Sequence, residues 1–125
     1  MQGVYTEADY ENSIIELFNQ NLGYTYVYGP DVERDYHSPL YEDLLLPCLQ
    51  RVNKDLSMNA LNEAIYKLKN FETGTLLQKN MVFMDYLQNG VPVKYMDNGE
   101  ERAGLVYLID FKNTANNEFT VVNQW

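Results

Sequence analysis

The apolar residues of this chain change their period part-way along, and that change limits the possible folds more than any other feature. From Pro39 to Leu87 they recur at helical spacing, about every 3.6 residues. Leu40, Leu44, Leu45, Leu49 and Val52 mark one helix, with Pro47 as a kink or a break. Ser57 is placed to cap a second helix whose buried stripe is Leu61, Ala64, Ile65 and Leu68. Thr73 or Thr75 opens a third, through Leu76, Leu77, Met81, Met84, Tyr86 and Leu87, with the two methionines expected in the core. Asn89-Gly90 stops it, and the pattern then turns strand-like. Val91–Met96 alternates weakly, Asp97-Asn98-Gly99-Glu100 is a hairpin signal, and Leu105–Ile109 is an apolar run expected as a central strand. Asn113–Asn117 is a polar turn, and a further strand starts at Phe119 and runs to Trp125.

The first 38 residues hold one more helix and strand. Thr6 and Asp9 are both suitable N-caps, and Glu7, Asp9 and Glu11 suit a helix N-terminus. Tyr10, Ile14, Leu17, Phe18 and Leu22 form a helical stripe expected to face a core, and Gly23 ends it. Residues 24–28, Tyr-Thr-Tyr-Val-Tyr, read as a strand broken by Gly29-Pro30, with a charged loop over 31–38. The whole is expected to be α+β, with helices packed on a small, largely antiparallel sheet. It divides into a helix and strand over 6–28, a helical subdomain over 39–89 and strands over 91–125.

Composition narrows the chemistry. Nine Lys and Arg against 18 Asp and Glu give a net charge of −9, so the chain lacks the clustered cations that displace counterions from DNA. The plain reading of this acidity is solubility, and it would also suit a basic protein partner. The only cysteine is Cys48 and the only histidine is His37, which leaves no disulfide and no zinc spacing. Cys48 reads as a small apolar residue, because a nucleophile would need His37 as its base. The start of the chain has no basic, apolar leader, and no run approaches the roughly 20 apolar residues of a membrane span, so a cytoplasmic location is expected.

Two patterns invite a functional reading. Asp97 followed by Asp110-Phe111-Lys112 imitates a metal nuclease: two carboxylates for the ion, and a lysine one strand period on to stabilise charge. On a strand Asp110 and Lys112 would share a face. Yet Asp97 lies in a turn sequence, Asp110 is placed to cap a turn, and so short a spacing arises often by chance. The 11 tyrosines suggest base stacking but lack interleaved Arg and Lys, so they read as core or sheet-surface residues. No phosphate-binding Gly-x-x-x-x-Gly-Lys is present.

Several segments together resemble the N-terminal part of the restriction (R) subunit of type I restriction-modification enzymes. They are Thr6–Phe18 with Leu22–Tyr26, Asp31–Arg34, Leu77–Asn80, Leu87–Val93, Val106–Asn117 and Phe119–Gln124, in the family's order over nearly the whole chain. The resemblance implies an incomplete restriction-endonuclease-like domain of the PD-(D/E)xK type. In the intact enzyme, helicase-like ATPase domains and a region docking the methylation and specificity subunits would follow, and DNA would be cut with ATP and Mg²⁺. The family's metal-binding Asp and Glu-x-Lys come after the element matched by Asn123-Gln124-Trp125, so this chain is expected to stop short of them and to be inactive alone. One candidate carries over: Glu11, matching a first-helix Glu that faces the metal in such nucleases, with Glu7 as a weaker second. The alternative is that both are simply first-turn carboxylates suited to the helix dipole. A last strand without a partner also leaves self-association open.

Overall fold

The computed structural model describes residues 4–71 and 74–125. Thr73, one of the two starts expected for the third long helix, lies outside them. The chain forms two compact units, Met1–Asp35 with Glu118–Trp125, and Tyr36–Asn117. Helices and strands are segregated along the chain, so the α+β class stands. Among the described residues, the strands form two two-stranded sheets, one parallel and one antiparallel.

The larger unit is built by local signals. Helix α2 (Glu42–Val52) runs through Pro47 without ending, so the proline is accommodated within the helix. Helix α3 (Met58–Lys69) starts where Ser57 accepts the N–H of Ala60. Helix α4 (Leu76–Asn89) starts at Thr75, whose hydroxyl takes the N–H of Gln78 while the Gln78 side chain reaches back to the Thr75 N–H. Gly90, at φ +92°, ends it. Strands β2 (Val91–Asp97) and β3 (Glu100–Val106) pair antiparallel, with Asp97 opposite Glu100. The turn places Asn98 at φ +51° and Gly99 at φ +78°, the left-handed pair that a two-residue hairpin needs. The core is Leu49, Ala60, Leu61, Ala64, Leu68, Val91, Val93 and Val106, where α2 and α3 pack on the hairpin. Each large side chain there contributes about 1.5–3 kcal/mol by leaving water.

Two expectations fail in this unit. The apolar run 105–109 is not a central strand, because β3 ends at Val106. Asn53, buried beside it, takes over: its Oδ1 accepts the Tyr107 N–H at 2.8 Å and its Nδ2 donates to the Tyr107 carbonyl at 2.8 Å. A side-chain amide thus supplies the bonds another strand would have made. The methionines of α4 are not core: Met81 is 64% and Met84 51% exposed, and Leu76 and Leu77 are exposed with them. Phe83, Tyr86 and Leu87 are the half-buried apolar residues of that helix.

In the smaller unit, α1 (Glu7–Glu16) has a reciprocal cap between Thr6 and Asp9. It continues as a π-helical turn over Leu17–Asn21, and Gly23 at φ +73° releases the chain into β1 (Thr25–Tyr28). Strand β1 pairs parallel with β4 (Thr120–Asn123), Thr25 beside Thr120 and Tyr28 beside Asn123. Parallel neighbours need a long connection, and here it is the whole larger unit. Strand β4 therefore joins β1, not the hairpin that precedes it in sequence. Tyr24 stacks on Phe119 at 4.9 Å, and Phe18 lies against Tyr24 at 5.3 Å. The helical stripe expected to be buried is largely outside: Tyr10 is 60% and Ile14 52% exposed, while Glu11, Ile15 and Phe18 are half-buried.

Candidate functional site

Glu11 is the fifth residue of α1, at the start of its second turn and on its half-buried side. Its Oε1 accepts a hydrogen bond of 2.8 Å from Nδ2 of Asn123, across 112 residues of sequence. Asn123 is the last residue of β4, and its Oδ1 accepts the Tyr26 hydroxyl at 3.0 Å. Helix α1 and strands β1 and β4 are thereby joined through three side chains. The junction lies at the carboxyl end of β4, the end of a parallel strand at which open α/β sheets place their ligands.

Two backbone features shape that end. Gly29 follows β1, and a Cβ there would run into the carbonyl oxygen of Asn123 and lie 2.6 Å from that of Gln124. Only a glycine lets the two chains pass so closely. Gln124 then adopts φ +50°, which turns the chain out of the strand. Trp125 receives the Arg34 guanidinium over its ring at 3.7 Å, a cation–π contact. Glu7, the weaker candidate, is exposed in the first turn of α1. Asp9 is engaged by the cap: the N–H and hydroxyl of Thr6 both donate to its carboxylate and hold its pKa below the usual value.

The imitation nuclease pattern is dispersed. Asp97 ends β2 and lies 3.5 Å from Arg102 Nε, across the hairpin. Asp110 lies beyond β3, so Asp110 and Lys112 do not share a strand face. Instead Asp110 organises a turn. Its Oδ1 accepts the N–H groups of Asn113 (2.8 Å) and Lys112 (3.0 Å), and its Oδ2 the amide of Asn116 (3.0 Å). The Asn113 N–H, then the Asn116 amide, lower its pKa below the usual carboxylate range. Asn117 completes the knot by bonding both the N–H and the carbonyl of Asp110. A pocket opens beside it, lined by Val52, Gln88, Tyr107, Ile109, Phe111 and Lys112. Among the described residues, no group of three or more His, Cys, Asp or Glu side chains is placed to hold a metal. Cys48 is half-buried on α2, with Arg51 Nη2 3.6 Å from its sulfur, and His37 lies in an exposed turn.

Sequence reasoning picked out Glu11 but not its partners. Tyr26 looked like one of several strand tyrosines, and Asn123 like part of a terminal strand. Nothing local announces a contact between side chains this far apart in sequence.

Residues 4–125 match the family model for the N terminus of the type I restriction enzyme R protein. The chain belongs to this family. Among similar members of the R protein family is the type I restriction enzyme HindI endonuclease subunit of Haemophilus influenzae. It is 30% identical over 126 residues, which cover 94% of this chain and 12% of that protein. Another, from Methanocaldococcus jannaschii, has the provisional name type I restriction enzyme MjaIXP endonuclease subunit. It is 30% identical over 121 residues, covering 92% of this chain and 12% of that protein. The R protein segment described here thus spans about an eighth of the length of the curated relatives it matches. No solved structure matches it. Among the described residues, no helix is long and apolar enough to cross a membrane.

Proposed function

We propose that this segment builds part of the PD-(D/E)xK DNA-cleaving domain of a type I restriction endonuclease subunit, with Glu11 at the reacting end. The intact enzyme would act in the cytoplasm, cut DNA with ATP and Mg²⁺, and work with methylation and specificity subunits. The observation that supports this most is the bond from Asn123 to Glu11, which keeps a carboxylate at the carboxyl end of β4. Carboxylate oxygens are the donors that Mg²⁺ prefers. Glu11 suits the ion as one ligand, and the described residues offer no cluster that would complete a cage. In this reading the segment by itself is inactive, and its acidity makes it a poor DNA binder alone.

Incubated with plasmid DNA and Mg²⁺, the isolated chain is expected to leave the DNA intact. Cleavage that disappears in Asp110→Ala would overturn the reading in favour of a self-contained site at Asp97, Asp110 and Lys112. In an assembled enzyme whose endonuclease subunit carries this segment, Glu11→Gln is expected to slow cleavage on the order of 100-fold, with ATP hydrolysis retained. Undiminished cleavage would remove Glu11 from the reaction.

Charge favours a second reading, a docking module for a basic partner. The smaller unit carries eight acidic side chains against the single Arg34, a formal charge of −7, while the larger carries ten against eight. Retention of the isolated chain by immobilised methylation or specificity subunits, reversed by salt, would support docking; no retention would leave the nuclease reading alone. Pairing of β4 with a second copy is tested by the same chain's mass in solution.

A further inference from the structure

We propose that Asn123 is a positioning residue for Glu11 and that Tyr26 braces the Asn123 amide; the inference rests on the reading that places Glu11 at the reacting end.

An asparagine amide presents an accepting oxygen and a donating nitrogen of nearly the same shape, so its neighbours decide which way round it sits. Here both ends are committed. The Tyr26 hydroxyl donates to Oδ1 and Nδ2 donates to Glu11 Oε1. If the amide were reversed, its oxygen would face a carboxylate oxygen, acceptor against acceptor. The carboxylate, which can only accept, thus fixes the amide's orientation, and the Tyr26 hydroxyl braces it by donating to the oxygen left on the other side. The choice of amide also matters. A lysine or arginine in this place would hold the carboxylate equally well and neutralise it. The neutral amide fixes the side chain and leaves its negative charge in place, with Oε2 uncommitted by the contact. Glu11 lies on α1 and could otherwise swing with the rotamers of a long side chain. Tied to the last residue of β4, it takes its position from the strand pair.

The test is a double-mutant cycle in the assembled enzyme carrying this segment, reading DNA cleavage and ATP hydrolysis. Asn123→Ala is expected to slow cleavage at least 10-fold, with ATP hydrolysis unchanged. Combined with Glu11→Gln, it should be no slower than Glu11→Gln alone, because it acts through that residue. Tyr26→Phe, which removes only a hydroxyl, should give a smaller loss in the same direction. If Glu11→Gln slows cleavage and Asn123→Ala does not, the positioning role is wrong and the nuclease reading survives. If Glu11→Gln has no effect, both fall. If the two losses multiply, or ATP hydrolysis falls with cleavage, Asn123 is structural and the proposal is overturned. A readout independent of activity comes from the ¹⁵N-labelled chain itself. The Asn123 side-chain amide signals should move in Glu11→Gln and in Tyr26→Phe, and unmoved signals in both would overturn the proposal even if Asn123→Ala fails to fold.

Discussion

Three hydrogen bonds converge on the carboxylate of Asp110, from Asn113, Asn116 and Lys112, and they hold its pKa below the ordinary 3.8. A group whose pKa is depressed by folding lends stability that is complete above its unfolded value and fades as pH falls through its folded value. Asp9, bonded by Thr6, acts in the same sense. The urea midpoint should therefore drop as the pH is lowered through and below the ordinary 3.8, and the drop should be shallower in Asp110→Asn. Identical profiles for the two proteins would contradict the turn-capping role. That role was legible in the sequence, since an Asp followed by polar turn residues is a local signal. The partners of Asn53 and Glu11 were not, because each is chosen by where distant segments come to rest.

Helix boundaries divide along the same line. Thr6, Ser57, Thr75, Gly90 and Asn98-Gly99 all act as their residue types dictate, within a few residues of themselves. Which stripe of a helix faces inward is another matter. On α1 and α4 apolar residues occupy more than one face, and spacing alone cannot tell the covered from the open one. Strand pairing is less local still, and β4 went to β1. The crossing at Gly29 depends on that pairing, so Gly29→Ala should cost on the order of 3 kcal/mol and act on the β1–β4 pair. Trp125 is the only tryptophan and lies in the same unit, which makes its fluorescence a local gauge. It should change at lower urea in Gly29→Ala, while the helical circular dichroism, which comes chiefly from α2, α3 and α4, changes less. Parallel shifts of both signals would mean the strain is not local.

At the scale of the whole molecule, core and charge are unevenly shared. Among the described residues, the cluster of buried apolar side chains lies in Tyr36–Asn117, and the smaller unit adds only Val32 to the buried apolar residues. The smaller unit also carries most of the excess negative charge, and self-repulsion opposes compaction. Backbone amides of 25–28 and 120–123 are therefore expected to exchange with deuterium faster than those of 61–68. Added salt should slow the first group more than the second. Equal rates in both groups, at low salt, would refute the unequal division.

The parallel pairing of Thr25 with Thr120 also has a temporal meaning. A ribosome making this segment releases β1 early and β4 only after all the residues of the larger unit have followed. The hairpin and its helices have short-range contacts and can condense meanwhile, whereas the β1 ladder must wait for a very distant strand. Glu11 accordingly meets Asn123 only after the larger unit has been made, and a chain interrupted anywhere before β4 would keep a folded middle and never assemble the carboxylate's surroundings.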